Sequence, residues 1–116
     1  NTSCKVVLGA KKDQKDVKPG GYYNTMWNFF DKGIGSLAYQ GSWNLFDQII
    51  ISENFLGKDR STLKFIKAEI FNRDFLKQTE GKYKGYPKRT HAGGVWLNGY
   101  SDHLPTIIYL IKEIKD

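Results

Sequence analysis

Apolar positions along this chain fall in short runs, separated by stretches rich in glycine, lysine and proline. Residues 106–111 (Thr-Ile-Ile-Tyr-Leu-Ile) are the clearest run and predict a strand, followed by a charged tail over 112–116. Residues 37–40 and 43–52 read as two more strands joined at Gly41-Ser42, a dipeptide that suits a tight hairpin turn. Ile49-Ile50-Ile51 is β-branched without alternation, which predicts a central strand covered on both faces. Between 63 and 71, Ile66, Ala68 and Ile70 alternate with Lys67 and Glu69. That period favours a strand, although Leu63, Ile66 and Ile70 also fit a helical stripe. A short helix is expected around 73–78.

The remaining segments are weaker. Thr2 or Ser3 can cap a short helix through Leu8, with Gly9 as its stop. Residues 11–21 are polar and lysine-rich, end in Pro19-Gly20-Gly21 and read as a loop. Aromatic-rich residues 22–30 predict a short helix closed near Gly33. Residues 81–100 are rich in Gly, Lys and Tyr, a long loop of the kind that is usually functional in a compact domain. There are no repeats and no low-complexity tracts.

Composition narrows the class. A chain of 116 residues is one domain's worth, able to bury about two-thirds of its unfolded surface. No run approaches the ~20 apolar residues of a membrane span, and no signal peptide is visible. The single Cys4 excludes an internal disulfide and a cysteine-rich zinc site. The net charge of +6 suits an anionic partner. The same lysines (Lys11, Lys12, Lys15, Lys18, Lys58, Lys64, Lys67) are also spread as on an ordinary solvated face.

Candidate chemistry concentrates in Gly99-Tyr-Ser-Asp-His-Leu-Pro105, where a carboxylate and an imidazole stand side by side at the mouth of the last strand. Loops held by a sheet are where catalytic residues gather. A hard cation prefers the carboxylate, and a phosphate oxygen the protonated imidazole. The string Ser-Asp-His-Leu-Pro resembles the C-terminal signature of the endonuclease/exonuclease/phosphatase superfamily. Trp43-Asn-Leu-Phe-Asp-Gln-Ile-Ile-Ile-Ser52 is similar to a strand of the same group, a Trp followed by an Asp and β-branched residues. Gly85-Tyr-Pro-Lys-Arg-Thr90, followed by Gly93-Gly94, resembles a loop that precedes the Ser-Asp-His string in bacterial members.

The resemblance implies an α+β fold, namely the C-terminal half of a DNase I-like four-layer α/β/β/α sandwich of mainly antiparallel sheet with short helices. It also implies an N-terminal half bearing an Asn, a Glu and a Gly-Asp-x-Asn strand end. No Gly-Asp-x-Asn string occurs here, so residues 1–116 are expected to be a single partial domain of a longer enzyme. Such an enzyme hydrolyses a phosphodiester or phosphomonoester by in-line attack of water, with Mg2+ or Mn2+ held mostly by the other half. The implied substrates are nucleic acid, a phospholipid head group or an inositol phosphate.

By the same resemblance His103 is catalytic, contacting the scissile phosphate, and Asp47 is catalytic as the carboxylate that orients it. Asp102 is a metal ligand, direct or through water. The alternatives are a backbone-satisfied loop histidine, a carboxylate at a solvated strand edge and a turn aspartate. Arg89 and Lys88 are phosphate or substrate contacts, or simply exposed charges. Trp43 flanks the substrate, or packs. Trp96 is read the same way, and His91 as a surface residue. Asp47 inside an apolar run is expected to be buried, where a carboxylate needs a partner. A rival class is a non-catalytic basic module that binds nucleic acid or another polyanion, which explains the charge but not the Asp-His pair. A family member that keeps the fold without activity is a third reading. The apolar content of 43–52 and 106–111 exceeds that of a solvated face, so the isolated chain is expected to dimerise or swap elements and to bind Mg2+ poorly.

Overall fold

The computed structural model describes residues 7–115. The helix expected from Thr2 or Ser3 falls mainly on residues 1–6, outside the described residues. Within the described residues the chain forms two compact units. One comprises 7–28, 48–69 and 107–115, the other 29–47 and 70–106. The secondary structure consists of short paired strands, one five-residue α-helix and three single 3-10 turns among the described residues.

In the first unit β1 (Tyr22–Asn24) pairs antiparallel with β4 (Ile50–Ser52), Tyr23 opposite Ile51. Lys11 adds a bridge on the other side of Tyr23. Tyr23, Met26 and Ile51 are buried together with Ala10, and the Tyr23 ring meets Phe65 edge-on at 5.6 Å. Buried polar groups here hold backbone. The Thr25 hydroxyl donates to the Ile49 carbonyl at 2.6 Å. Asn24 Oδ1 accepts from the Met26 N–H, while its amide donates to Gln48. β5 (Lys64–Ile70) pairs with β8 (Thr106–Ile111), both at the positions expected.

Residues 22–30 differ from expectation. Instead of one helix they form β1 and then α1 (Trp27–Asp31). The reason is local: Asn24 caps the Met26 N–H with its own side chain, a turn that competes with helix. The expected single strand over 43–52 is also divided. β3 (Ser42–Asn44) and β4 are separated by irregular residues 45–49. Each half has its own partner, β2 and β1 respectively, and one straight strand cannot serve both. The isoleucines are therefore not a central strand. Ile51 is buried, whereas Ile49 and Ile50 are half-buried.

In the second unit β2 (Leu37–Tyr39) and β3 make the expected hairpin, but the turn residues are Gln40 and Gly41, one position earlier than the Gly-Ser reading. Both have left-handed φ, 47° and 83°, the pattern of a two-residue turn whose twist matches its strands. Ala38, Leu45, Ile70 and Leu104 are its buried apolar residues. The long segment 81–100 is not featureless, since it contains a small hairpin of β6 (His91–Ala92) and β7 (Val95–Trp96). That segment closes on itself at Gly99, where any Cβ would sit 1.8 Å from the Lys88 carbonyl oxygen.

Candidate active site

The chemistry-bearing residues lie in the second unit, and its backbone explains why they meet. Leu37 bridges His103, and the Leu104 N–H donates to the Ser36 carbonyl at 2.7 Å. Leu104, 1% exposed, anchors the segment from its apolar side. The next link, from the Phe71 N–H to the Pro105 carbonyl at 2.7 Å, fastens the far end. The Ser101 hydroxyl accepts from the His103 N–H at 3.0 Å, a short-range turn of the kind serine makes in loops. His103 is thus held at both backbone flanks, with its ring about one-third exposed.

Asp47 Oδ2 lies 2.6 Å from His103 Nδ1. A carboxylate only accepts, so Nδ1 carries the proton and Nε2 is the nitrogen left for other partners. Asp47 sits in the irregular segment between β3 and β4, with its side chain 37% exposed. The expectation of a carboxylate buried inside a strand is corrected by this. The division of 43–52 is what frees the carboxylate to turn toward the histidine. The Phe46 ring tilts over the imidazole at 6.5 Å.

The same Oδ2 accepts a second hydrogen bond, 2.5 Å long, from the hydroxyl of Ser36, which is completely buried. A buried hydroxyl with this acceptor fixes the carboxylate's rotation, and the carboxylate in turn fixes the imidazole. Sequence reasoning missed Ser36. The available signal was its place just before the first hairpin strand, since the hairpin that ends near Asp47 must begin beside it.

Asp102 is exposed. It borders a cavity of about 460 Å3 together with Arg89, Tyr39, Tyr83 and Tyr86. It also borders a shallower hollow of about 270 Å3 with Arg89, Thr90 and Tyr100. Lys88 and Trp43 stand outside the lining of the larger cavity. The Lys88 N–H donates to Leu76, tying down the loop, and Trp43 backs Tyr86 edge-on at 6.1 Å. Trp96 is exposed and stacks its edge against exposed His91 at 4.8 Å. Among the described residues no three His, Cys, Asp or Glu side chains converge on a point that could hold a metal ion. The Asp102 carboxylate therefore does not by itself make a cation site.

An aspartate-oriented histidine stands just before β8, next in the chain to Asp102, which borders the larger cavity. The chain belongs to the Endonuclease/Exonuclease/phosphatase family, whose model matches residues 1–112 and so spans every residue just described. That places it in a hydrolase family of phosphoesterase and nuclease type. Neither curated proteins nor solved structures gave a match.

Proposed function

We propose that this chain carries the histidine side of a divalent-metal-dependent phosphoesterase. The 2.6 Å contact between His103 Nδ1 and Asp47 Oδ2 carries the reading. With Nδ1–H committed to the carboxylate, Nε2 is directed to the substrate phosphate. When protonated it donates to a phosphoryl oxygen and stabilises the charge that develops there as water attacks in line. Asp47, steadied by Ser36, orients the ring through each turnover. Arg89 at the rim of the cavity is suited to a bidentate grip on phosphate, and Lys88 adds charge to the same loop. Asp102 would offer one carboxylate to Mg2+ or Mn2+, an ion that would neutralise charge on the phosphoryl oxygens.

We place the chain in the C-terminal half of a four-layer α/β/β/α sandwich, as one partial domain. The exposed apolar side chains of the β5–β8 pair, Ile66 at 50% and Leu110 at 37%, support a covering layer there. Without that layer the isolated chain should dimerise or swap elements, which sedimentation measures.

The test is hydrolysis of a panel of phosphodiesters and phosphomonoesters by the full-length protein, with and without Mg2+. His103→Ala should lower the rate on the order of a hundredfold or more, since it removes one preorganised donor. Its melting temperature should stay close to that of the parent, because the ring is about one-third exposed. A variant with near-full activity removes His103 from the mechanism. Metal-independent, salt-sensitive binding without turnover indicates a basic binding module instead.

A further inference from the structure

The cavity beside Asp102 is larger than a phosphate group needs. Its volume of about 460 Å3 lies in the ordinary range for small-molecule sites. Its walls come from the β2–β3 hairpin and the 81–100 loop, and their chemistry is specific. Tyr39, Tyr83, Tyr86, Gln78, Lys82 and Arg89 are among the residues that line it.

The aromatic wall is built rather than incidental. The Tyr86 hydroxyl accepts from the Gly41 N–H at 2.8 Å, at the hairpin turn, and the Trp43 edge supports its ring from behind. Tyr83 tilts against Tyr86 at 5.9 Å and 41°. Tyr39 and Tyr83 nevertheless remain more than half exposed, at 56% and 52%. The Lys82 ammonium stands over the Tyr83 ring, 5.5 Å from its centre; Lys82 is itself exposed, so a phosphate can draw it aside and leave the ring to a flat ligand.

We propose that this cavity is a base subsite: it takes the planar ring of a nucleotide, free or within a strand, whose phosphate lies toward Arg89. The proposal rests on the phosphoesterase reading and narrows it. Tyrosine rings stack on any nucleobase, and the Gln78 amide can both donate to and accept from a base edge. Lys82 and Arg89 suit the flanking phosphates. Other phosphate esters fit less well. An inositol phosphate has no flat π-face and calls for more cations than two. A quaternary ammonium head group would suit three tyrosines, but Lys82 and Arg89 repel it. Asp102 borders the cavity and is the chain neighbour of His103, which stands outside the cavity lining.

The decisive probe is a hexathymidylate strand compared with a strand of equal length and charge made of abasic sugars. Both are titrated by fluorescence anisotropy into the full-length protein in EDTA, where nothing turns over. The protein should prefer the base-bearing strand by about tenfold or more, the scale of one stacked base. Tyr83→Ala and Tyr39→Ala should each erode the preference, and Tyr83→Phe should keep it. Both rings are largely exposed, so the variants should fold, and circular dichroism melting checks that they do. His103→Ala should keep the preference while losing hydrolysis. A preference in a protein that hydrolyses no ester supports the subsite and removes the phosphoesterase reading. Equal binding of the two strands, or a preference untouched by both alanine variants, overturns the base subsite whatever the activity. Thymidine monophosphate separates the sources. Binding as tight as the strand's points to free nucleotides, and much weaker binding to nucleic acid.

Discussion

The two units use buried polar groups in opposite ways. In the first, Asn24, Thr25 and Gln48 spend their hydrogen bonds on backbone and on one another, closing the β1–β4 pair around Tyr23 and Met26. In the second, the buried Ser36 hydroxyl is spent on a carboxylate, and that carboxylate on a partly exposed imidazole. Satisfaction in the first unit ends inside the fold. In the second it ends at solvent, and His103 Nε2 has no hydrogen-bond partner among the described residues. A polar network that is complete only when something binds is what a site requires, and one already complete is a structural device.

Four substitutions test that contrast, beginning with the largest effect. Met26→Ala, at a position with no exposure, should lose about 2–5 kcal/mol of stability through lost contacts and the cavity left behind. Urea denaturation measures the loss, while the turnover of the folded fraction should be unchanged. A fall in turnover without a fall in stability would contradict the assignment of that unit to packing.

Asp47→Asn keeps the size of the side chain and removes the charge facing His103. Hydrogen bonds to charged groups are worth about 1.5–3 kcal/mol, so the rate should fall roughly ten- to hundredfold. The fold should survive, because the side chain is 37% exposed. Nitrogen-15 spectra of the imidazole should also show a change in the balance of its tautomers. Unchanged spectra and rate would mean that the contact does no orienting.

Ser36→Ala takes one of two donors from Asp47 Oδ2 and also removes the acceptor of the long 3.4 Å hydrogen bond from the Asp47 N–H. About 1 kcal/mol of stability should be lost, with a several-fold lower rate. Ser36→Thr should restore the hydroxyl, if its extra methyl is accommodated in the buried site. A loss of stability with an unaltered rate and imidazole spectrum would reduce Ser36 to a packing residue.

The smallest effect concerns pH. The Ser61 N–H, 3.0 Å from its Oδ1, holds the Asp59 carboxyl below its ordinary value. A lowered value in the fold means stability present above the unfolded value, near 3.9, and lost as pH falls through the folded one. Asp59→Ala should therefore flatten the acid side of the melting-temperature profile slightly, while leaving the rate alone. An unaltered profile would remove Asp59 from the acid response.

Local physics was enough for much of this protein. The apolar run at 106–111 and the alternation at 64–70 became strands because side-chain period and β-branching act within the segment itself. The hairpin after Leu37 formed because a glycine could take left-handed φ, though the turn settled one residue earlier than the dipeptide suggested. Asp102-His103 announced its chemistry by residue type and by its place before a strand, and the family followed from that string and Asp47. What only tertiary structure decided were pairings between distant segments. Residues 43–52 broke in two because β2 and β1 claimed different halves, and no local period records a competition between partners. Ser36 gained its role because backbone pairing at Leu37–His103 and Ser36–Leu104 brought a hydroxyl to a carboxylate eleven positions along the chain. The tyrosine-lined cavity arose the same way, from a hairpin and a loop some forty residues apart, joined where Gly41 donates to Tyr86. Burial and hydrogen bonding across such distances depend on where the backbone goes, which composition and spacing leave open.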